Sequence, residues 1–296
     1  MNYINMTTHP IQVGLVIPIF NVERTIGKVL DSIASSLESD IAEVLLIDNC
    51  STDCTLKVVR ERLAAHPALA ALVTIIQHEE NYGYGCSIKS GFDHFSRRDV
   101  SHVMVIHGDN QVDPAWLIDK LLSALHSDER TDLILASRFK PESDIHNYSF
   151  LRKAGNYFFN FATAICSGRS MSDSGTAMIL VRNSLLNNVP FRNLSNSWQF
   201  HPQINILLYG VPGVSIKEVA MNWADSDAGS TVPLIRYGLT LLKMLVQYWF
   251  KKNVMRVKEG VIFGVNPIPK DRRFRITGPI SPRCDAAENR CPEHVR

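Results

Sequence analysis

Val13-Gly14-Leu15-Val16-Ile17-Pro18-Ile19-Phe20 is an unbroken apolar run that stops at Asn21-Val22-Glu23. A strand with one wet face alternates apolar and polar positions, whereas a run without polar positions belongs to a strand covered on both faces. Val44–Ile47, Leu72–Ile76, Val103–Ile106 and Leu133–Ala136 repeat the pattern, and the segments between them (24–38, 55–65, 86–97, 114–126) have helical spacing. Strand and helix alternating in this way predict an α/β fold with a mostly parallel twisted sheet and right-handed crossovers.

Such sheets bind ligands beyond the carboxyl ends of their strands, where the loops converge. Strand one runs into Pro18 to Glu23, strand two into Asp48-Asn49-Cys50-Ser51-Thr52-Asp53, and strand four into His107-Gly108-Asp109-Asn110-Gln111, so three strand ends bring carboxylates or amides to one edge. A carboxylate at Asp48 accepts hydrogen bonds from a nucleobase N–H, and Ser51 or Thr52 is expected to cap the next helix. In Asn81-Tyr82-Gly83-Tyr84-Gly85, Gly83 and Gly85 let backbone amides approach a phosphate or sugar. A dinucleotide fingerprint would need a third small residue where Ile88 stands and would follow the first strand, so hydride chemistry is disfavoured. His107 and Asp109, two apart at a strand end, point to one side and suit a divalent metal (Mg²⁺ or Mn²⁺) bridging diphosphate oxygens. Gln111 and Asp113 are placed to support those ligands, although Asp113-Pro114 also reads as a helix start.

At 296 residues the chain has room for one large α/β domain with an appendage. Hydrophobic residues at 45% and charged residues at 20% exclude a disordered or fibrous protein. The net charge of +2 hides an asymmetry, because residues 251–296 carry eleven Lys or Arg against five Asp or Glu, leaving residues 1–250 near −4. Nucleic acid is not an expected partner. Six scattered cysteines without a signal peptide ahead of them predict reduced thiols and a cytoplasmic location. Cys50 and Cys54 lack a matching second pair for structural zinc.

Beyond residue 140 the pattern predicts a helix at 149–166, a strand at 175–182, a helix at 198–209 and a strand at Val214–Val219. Residues 10–140 then form a donor half and 141–230 an acceptor half of one domain spanning 1–230. A helix within 231–257 is apolar except for Arg236 and Lys243, which share a face seven residues apart, so it is amphipathic rather than membrane-spanning. It suits either peripheral contact with the cytoplasmic face of a membrane or packing on the core. From 258 to 296 the sequence predicts a loosely ordered basic tail.

Val16-Ile17-Pro18-Ile19-Phe20-Asn21, Ile47-Asp48-Asn49-Cys50-Ser51-Thr52-Asp53-Cys54-Thr55, Asn81–Gly91, His107-Gly108-Asp109-Asn110-Gln111 and Ser137-Arg138-Phe139 together resemble the motifs of the family 2 inverting glycosyltransferases of GT-A fold. The likeness covers about residues 12–230 and is nearest the dolichyl-phosphate mannose synthase-like branch. It implies that Pro18, Phe20, Glu23, Asp48 and Asn81 hold the nucleoside of a nucleotide-diphosphate sugar, and that Asp109 and Gln111 hold metal and diphosphate. It further implies that Arg138 clamps a phosphate and that Asp173, in Asp173-Ser174-Gly175, orients or deprotonates the acceptor. The chain departs from the family where His107 replaces the first metal-binding Asp, Thr176-Ala177 stands for Phe-Arg, Gln203 stands for Glu, and Ala220 stands for Pro.

The expected chemistry is a single displacement at the anomeric carbon with inversion. A polyprenyl phosphate acceptor is already anionic and needs positioning, whereas a sugar hydroxyl of a surface polysaccharide needs a base. Arg152 and Lys153 beside Tyr157, Phe158, Phe159 and Phe161 favour the lipid phosphate. A non-catalytic nucleotide-sugar-binding protein stays open if His107 has cost the metal, and a nucleotidyltransferase is disfavoured because Asn21-Val22-Glu23-Arg24 is no glycine-rich basic loop.

Overall fold

The computed structural model describes residues 10–224, 234–268 and 274–277. The elements in chain order are β1 (Val13–Ile19), α1 (Ile26–Ser35), β2 (Ile41–Asp48), α2 (Thr55–Ala65), α3 (Pro67–Ala70), β3 (Val73–His78), α4 (Tyr84–Phe95), β4 (His102–Val105), α5 (Pro114–Ser127) and β5 (Leu133–Ser137). They continue with β6 (Ile145–His146), α6 (Phe150–Ser167), β7 (Ile179–Arg182), α7 (Asn183–Asn187), α8 (Phe200–Tyr209), β8 (Ile216–Ala220), β9 (Trp223–Ala224), α9 (Leu234–Asn253) and β10 (Phe274–Thr277).

The main sheet has the order β10-β3-β2-β1-β4-β7-β5-β8. Its centre is parallel, as expected: β1 pairs with β2 on one side and β4 on the other, and β2 pairs with β3. The chain steps outward from β1 to β3 and then returns to β4, so the switch point lies between β1 and β4 and opens a crevice at their carboxyl ends. The apolar runs behave as two-faced strands. Val13, Leu15, Ile17 and Ile19 join the core under α1, α2 and α5, while Val16, Leu45 and Ile47 join the core under α4 and α8. A third cluster unites α9 (Leu241, Met244, Leu245, Tyr248) with Ile206 of α8 and Met171.

Three features depart from the expected pattern. The strand predicted at 175–182 is confined to Ile179–Arg182 and runs antiparallel to both β4 and β5. It fills the gap between them, and the residues before it are free to form a buried turn. Residues 258–268 are tied to the body rather than loose: Ile262 is buried, and the Asn266 N–H donates to the Asn193 carbonyl at 2.9 Å. Phe274–Thr277 then pairs antiparallel with β3 and covers the sheet edge, a use for backbone donors that would otherwise be unpaired. Finally, Cys54 is disulfide-bonded while Cys50, Cys86 and Cys166 carry free thiols. The expectation of reduced thiols therefore fails at Cys54, because disulfide pairing is set by distance in the fold, not by spacing in the chain. The Gly229-Ser230 end of the family-like segment and the tail other than 258–268 and 274–277 lie outside the described residues.

Candidate active site

The loops after β1 and β2 are stitched together before any ligand is considered. Asn21 takes a left-handed φ of 52°, and its carboxamide oxygen accepts from Thr52 N–H at 2.8 Å while its own N–H donates to Ser51 Oγ at 3.0 Å. Val22 N–H donates to Thr55 Oγ1 at 2.8 Å. Glu23 Oε2 accepts from Cys54 N–H at 2.9 Å, and Glu23 N–H donates to Asp53 Oδ2 at 3.2 Å. Ser51 and Thr52 therefore do not cap α2 as expected. Asp53 accepts from Thr55 N–H at 3.0 Å, and Glu23 serves the neighbouring amide, so one of the predicted nucleoside contacts spends an oxygen on loop geometry.

Asp48 sits at the floor of the crevice, fully buried. Its Oδ1 accepts from Ser51 N–H at 3.1 Å, whereas Oδ2 has no hydrogen-bond partner among the described residues. Burial pushes its carboxyl pKa up, against the downward pull of Ser51 and the neighbouring Gln77 amide. An orphaned carboxylate oxygen costs on the order of 1–3 kcal/mol and marks a place for a ligand N–H. Pro18 closes the β1 end, and Phe20 is 41% exposed at its lip, a large ring left uncovered at the crevice.

Asn81 is engaged by its neighbours in the fold. Its side-chain oxygen accepts from Asn49 Nδ2 at 2.8 Å and Gly83 N–H at 3.0 Å, within a network that joins Asn49 to His78 at 2.9 Å. The glycines beside it are required by packing. Gly83 has φ 91°, and a Cβ there would strike the Asn196 carbonyl; a Cβ on Gly85 would meet the Ser195 carbonyl and stand 2.7 Å from the Ser197 carbonyl. The 195–197 backbone lies close against both glycines. Gly85→Ala is expected to cost about 1–3 kcal/mol by overpacking, measured as a lowered urea midpoint at unchanged m-value; an unchanged midpoint would show that the segment yields freely.

After β4, His107 and Asp109 do face one another, with Nδ1 to Oδ2 at 3.8 Å. Asn110, in the turn that follows, takes φ 57°. Gln111 N–H reaches Asp109 Oδ1 at 3.4 Å, and the Gln111 carbonyl accepts from Ala224 N–H at 2.9 Å, which fastens this loop to β9. Asp113 is the N-cap of α5, accepting from Ala115 N–H at 3.0 Å and from Ser32 Oγ at 2.7 Å. Its helix-start reading holds, and its carboxylate is occupied there.

Arg138 and Asp173 form a buried pair. Asp173 accepts from Arg138 Nε and Nη2, each at 2.8 Å, and from its backbone N–H at 3.2 Å. The guanidinium also lies 5.2 Å from the Trp223 ring centroid and donates to Tyr148 Oη at 3.3 Å. Burial opposes the Arg138 charge, but the charge and hydrogen bonds of Asp173 more than offset this, so the guanidinium holds its proton more firmly than usual. Arg138 lines a cavity of about 510 Å³ together with Phe139, Lys140, Ser143, Lys153 and Tyr157.

An orphaned carboxylate at the switch point, an acidic turn after β4 and a fixed Arg after β5 all fall within a stretch that a family model matches. The model for glycosyl transferase family 2 aligns with residues 15–189. The chain belongs to glycosyl transferase family 2. This family 2 enzyme is 26% identical over 269 residues to the dodecaprenyl-phosphate galacturonate synthase of Rhizobium johnstonii, an alignment covering 87% of this chain and 73% of that protein. Its fold is similar to that of mannosyl-3-phosphoglycerate synthase from Rubrobacter xylanophilus, with TM-score 0.60 and 16% identity over 84% of this chain and 76% of the other. It is also similar to glucosyl-3-phosphoglycerate synthase from Mycobacterium tuberculosis in complex with Mn²⁺, UDP-glucose and phosphoglyceric acid, with TM-score 0.56 and 16% identity over 81% and 79% of the two chains. The glycosyltransferase therefore has the GT-A fold expected from its motifs.

A divalent cation of the kind held by that relative fits the donors present here. His107 Nδ1 and Asp109 Oδ2, separated by 3.8 Å without a hydrogen bond between them, offer one nitrogen and one hard oxygen. No group of three or more His, Cys, Asp or Glu able to hold a metal occurs among the described residues, so the remaining ligands would be phosphate oxygens and water, a common arrangement for Mg²⁺. Sequence reasoning missed Tyr84 and His201, which stand behind His107, because nothing local to either residue marks them.

Proposed function

We propose that this glycosyltransferase moves a sugar from a nucleotide-diphosphate donor to a polyprenyl phosphate, with inversion at the anomeric carbon. The observation that carries the acceptor assignment is the continuity of a cavity lined by three cations and one carboxylate, Asp144, with an apolar surface. Tyr157 lines the cavity beside Arg138, Lys140 and Lys153, and it also belongs to the outer face of α6, where Phe150, Phe158, Phe161 and Ile165 are exposed. On α9, packed against α6, Val246, Trp249 and Phe250 are exposed as well. Neither helix contains an acidic residue, while α6 has Arg152 and Lys153 and α9 has Arg236, Lys243, Lys251 and Lys252. An apolar face on helices that carry cations and no carboxylate suits an anionic lipid surface. Among the described residues no helix is long and apolar enough to cross a membrane. Contact is thus proposed as peripheral, with the prenyl chain along α6 and its phosphate in the cavity. The dodecaprenyl-phosphate specificity in the name of the Rhizobium relative supports the same acceptor class.

In this reading Asp48 Oδ2 receives a base N–H of the donor, and Phe20 covers the nucleoside from the lip. His107 and Asp109 would hold the divalent cation, which would supply charge neutralisation for the departing nucleoside diphosphate. Arg138, aligned by Asp173, draws the acceptor phosphate into the cavity. Both Asp173 oxygens are engaged by Arg138, so Asp173 aligns the guanidinium instead of taking a proton, and a phosphate nucleophile needs no base.

Purified protein given UDP- and GDP-sugars, Mn²⁺ and vesicles containing phosphatidylglycerol is expected to release nucleoside diphosphate from one donor, with strong stimulation by undecaprenyl phosphate. Replacing Trp249 and Phe250 with Ser is expected to lower transfer to the lipid without changing slow donor hydrolysis in its absence. Stimulation by soluble saccharides with none by the lipid phosphate would overturn the acceptor assignment.

A further inference from the structure

Tyr84 Oη lies 2.6 Å from His107 Nε2 and 2.8 Å from His201 Nε2, joining the start of α4, the turn after β4 and the start of α8 through one hydroxyl. His201 is 3% exposed and, among the described residues, its Nδ1 has no hydrogen-bond partner, so within them this imidazole bonds through the tyrosine alone. The Tyr84 ring is fixed independently by stacking on Trp198 at 4.5 Å and 17°.

A phenol has one proton to donate and lone pairs to accept. It can serve two neutral imidazoles only if one Nε2 carries a hydrogen and the other does not. When His107 Nε2–H donates to Tyr84 and Tyr84 donates to His201, His107 Nδ1 is left with a bare lone pair. That atom is the one lying 3.8 Å from Asp109 Oδ2, a gap too long for an N–H donor to a carboxylate and open to a shared cation. We propose that Tyr84 and His201 are positioning residues which hold His107 in the tautomer that presents Nδ1 to a divalent cation beside Asp109. A ring held at one nitrogen is aimed at the other. The inference rests on the proposed role of a cation in transfer.

The test needs neither donor nor acceptor: Mn²⁺ binding to the purified protein is followed by electron paramagnetic resonance. Tyr84→Phe keeps the stacked ring and removes the hydroxyl, and is expected to weaken Mn²⁺ binding about 10–100-fold. His201→Leu should do the same, and His201→Gln, which retains a side-chain hydrogen-bonding group, should recover most of the affinity. In ¹⁵N imidazole spectra His107 is expected to shift from the Nε2–H form in the wild type to a mixture in Tyr84→Phe. Mn²⁺ affinity within twofold of wild type in a folded Tyr84→Phe protein, or no Mn²⁺ binding by the wild type, overturns the proposal. Because no lipid is present, failure of the polyprenyl-phosphate assignment would leave this result untouched.

Discussion

Asp173→Ala is expected to lower the free energy of unfolding by about 3–5 kcal/mol and to abolish transfer. The Asp173 side chain is 1% exposed and that of Arg138 is 13% exposed, so removing the carboxylate strands a guanidinium among the Trp223, Tyr148 and Phe139 rings with little water to replace three lost hydrogen bonds. Equilibrium urea unfolding measures the loss. Replacing both partners together, Arg138→Met with Asp173→Leu, removes the stranded charge and is expected to recover most of the stability, because apolar residues of similar volume often substitute for a buried pair at little cost. Activity should not return with it. Recovery of both would reduce the pair to a structural brace and remove Arg138 from the acceptor site.

Asp109→Ala separates chemistry from folding in the opposite direction. Its side chain is 38% exposed, and the one hydrogen bond it accepts within its turn, from Gln111 N–H, is 3.4 Å long. Stability should therefore change by no more than about 0.5 kcal/mol. Nucleoside diphosphate release, by contrast, is expected to fall about 10²–10³-fold, the usual scale for removing one group that stabilises developing charge in a dry site. Steady-state release from the preferred donor measures this. Retention of more than a tenth of wild-type turnover would show that the turn after β4 does not manage the leaving group.

These two carboxylates also mark how differently sequence and structure speak. Asp109 was legible because it follows an apolar run directly: a buried strand must end at the crevice, and the first polar residues after it must line that crevice. Asp48 and His107 are legible for the same reason. The pairing of Asp173 with Arg138 crosses 35 residues and an intervening helix, and no periodicity encodes which way α6 folds back. Gly83 and Gly85 were visible as unusual, but the reason for them, the 195–197 backbone pressed against α4, lies more than a hundred residues downstream.

The sequence by itself determined the parallel centre of the sheet, its crevice and the polar groups at its edge, because strand burial and strand ends are local properties of a chain with period two. Only the tertiary structure decided the antiparallel insertion of β7, the edge pairing of β10, the packing of α9 against α6, and the hydroxyl that links His107 to His201. The last contact joins Tyr84 to a residue 117 positions away. Such contacts are selected by how whole elements pack against one another, and the free energy that fixes them appears only when their surfaces meet.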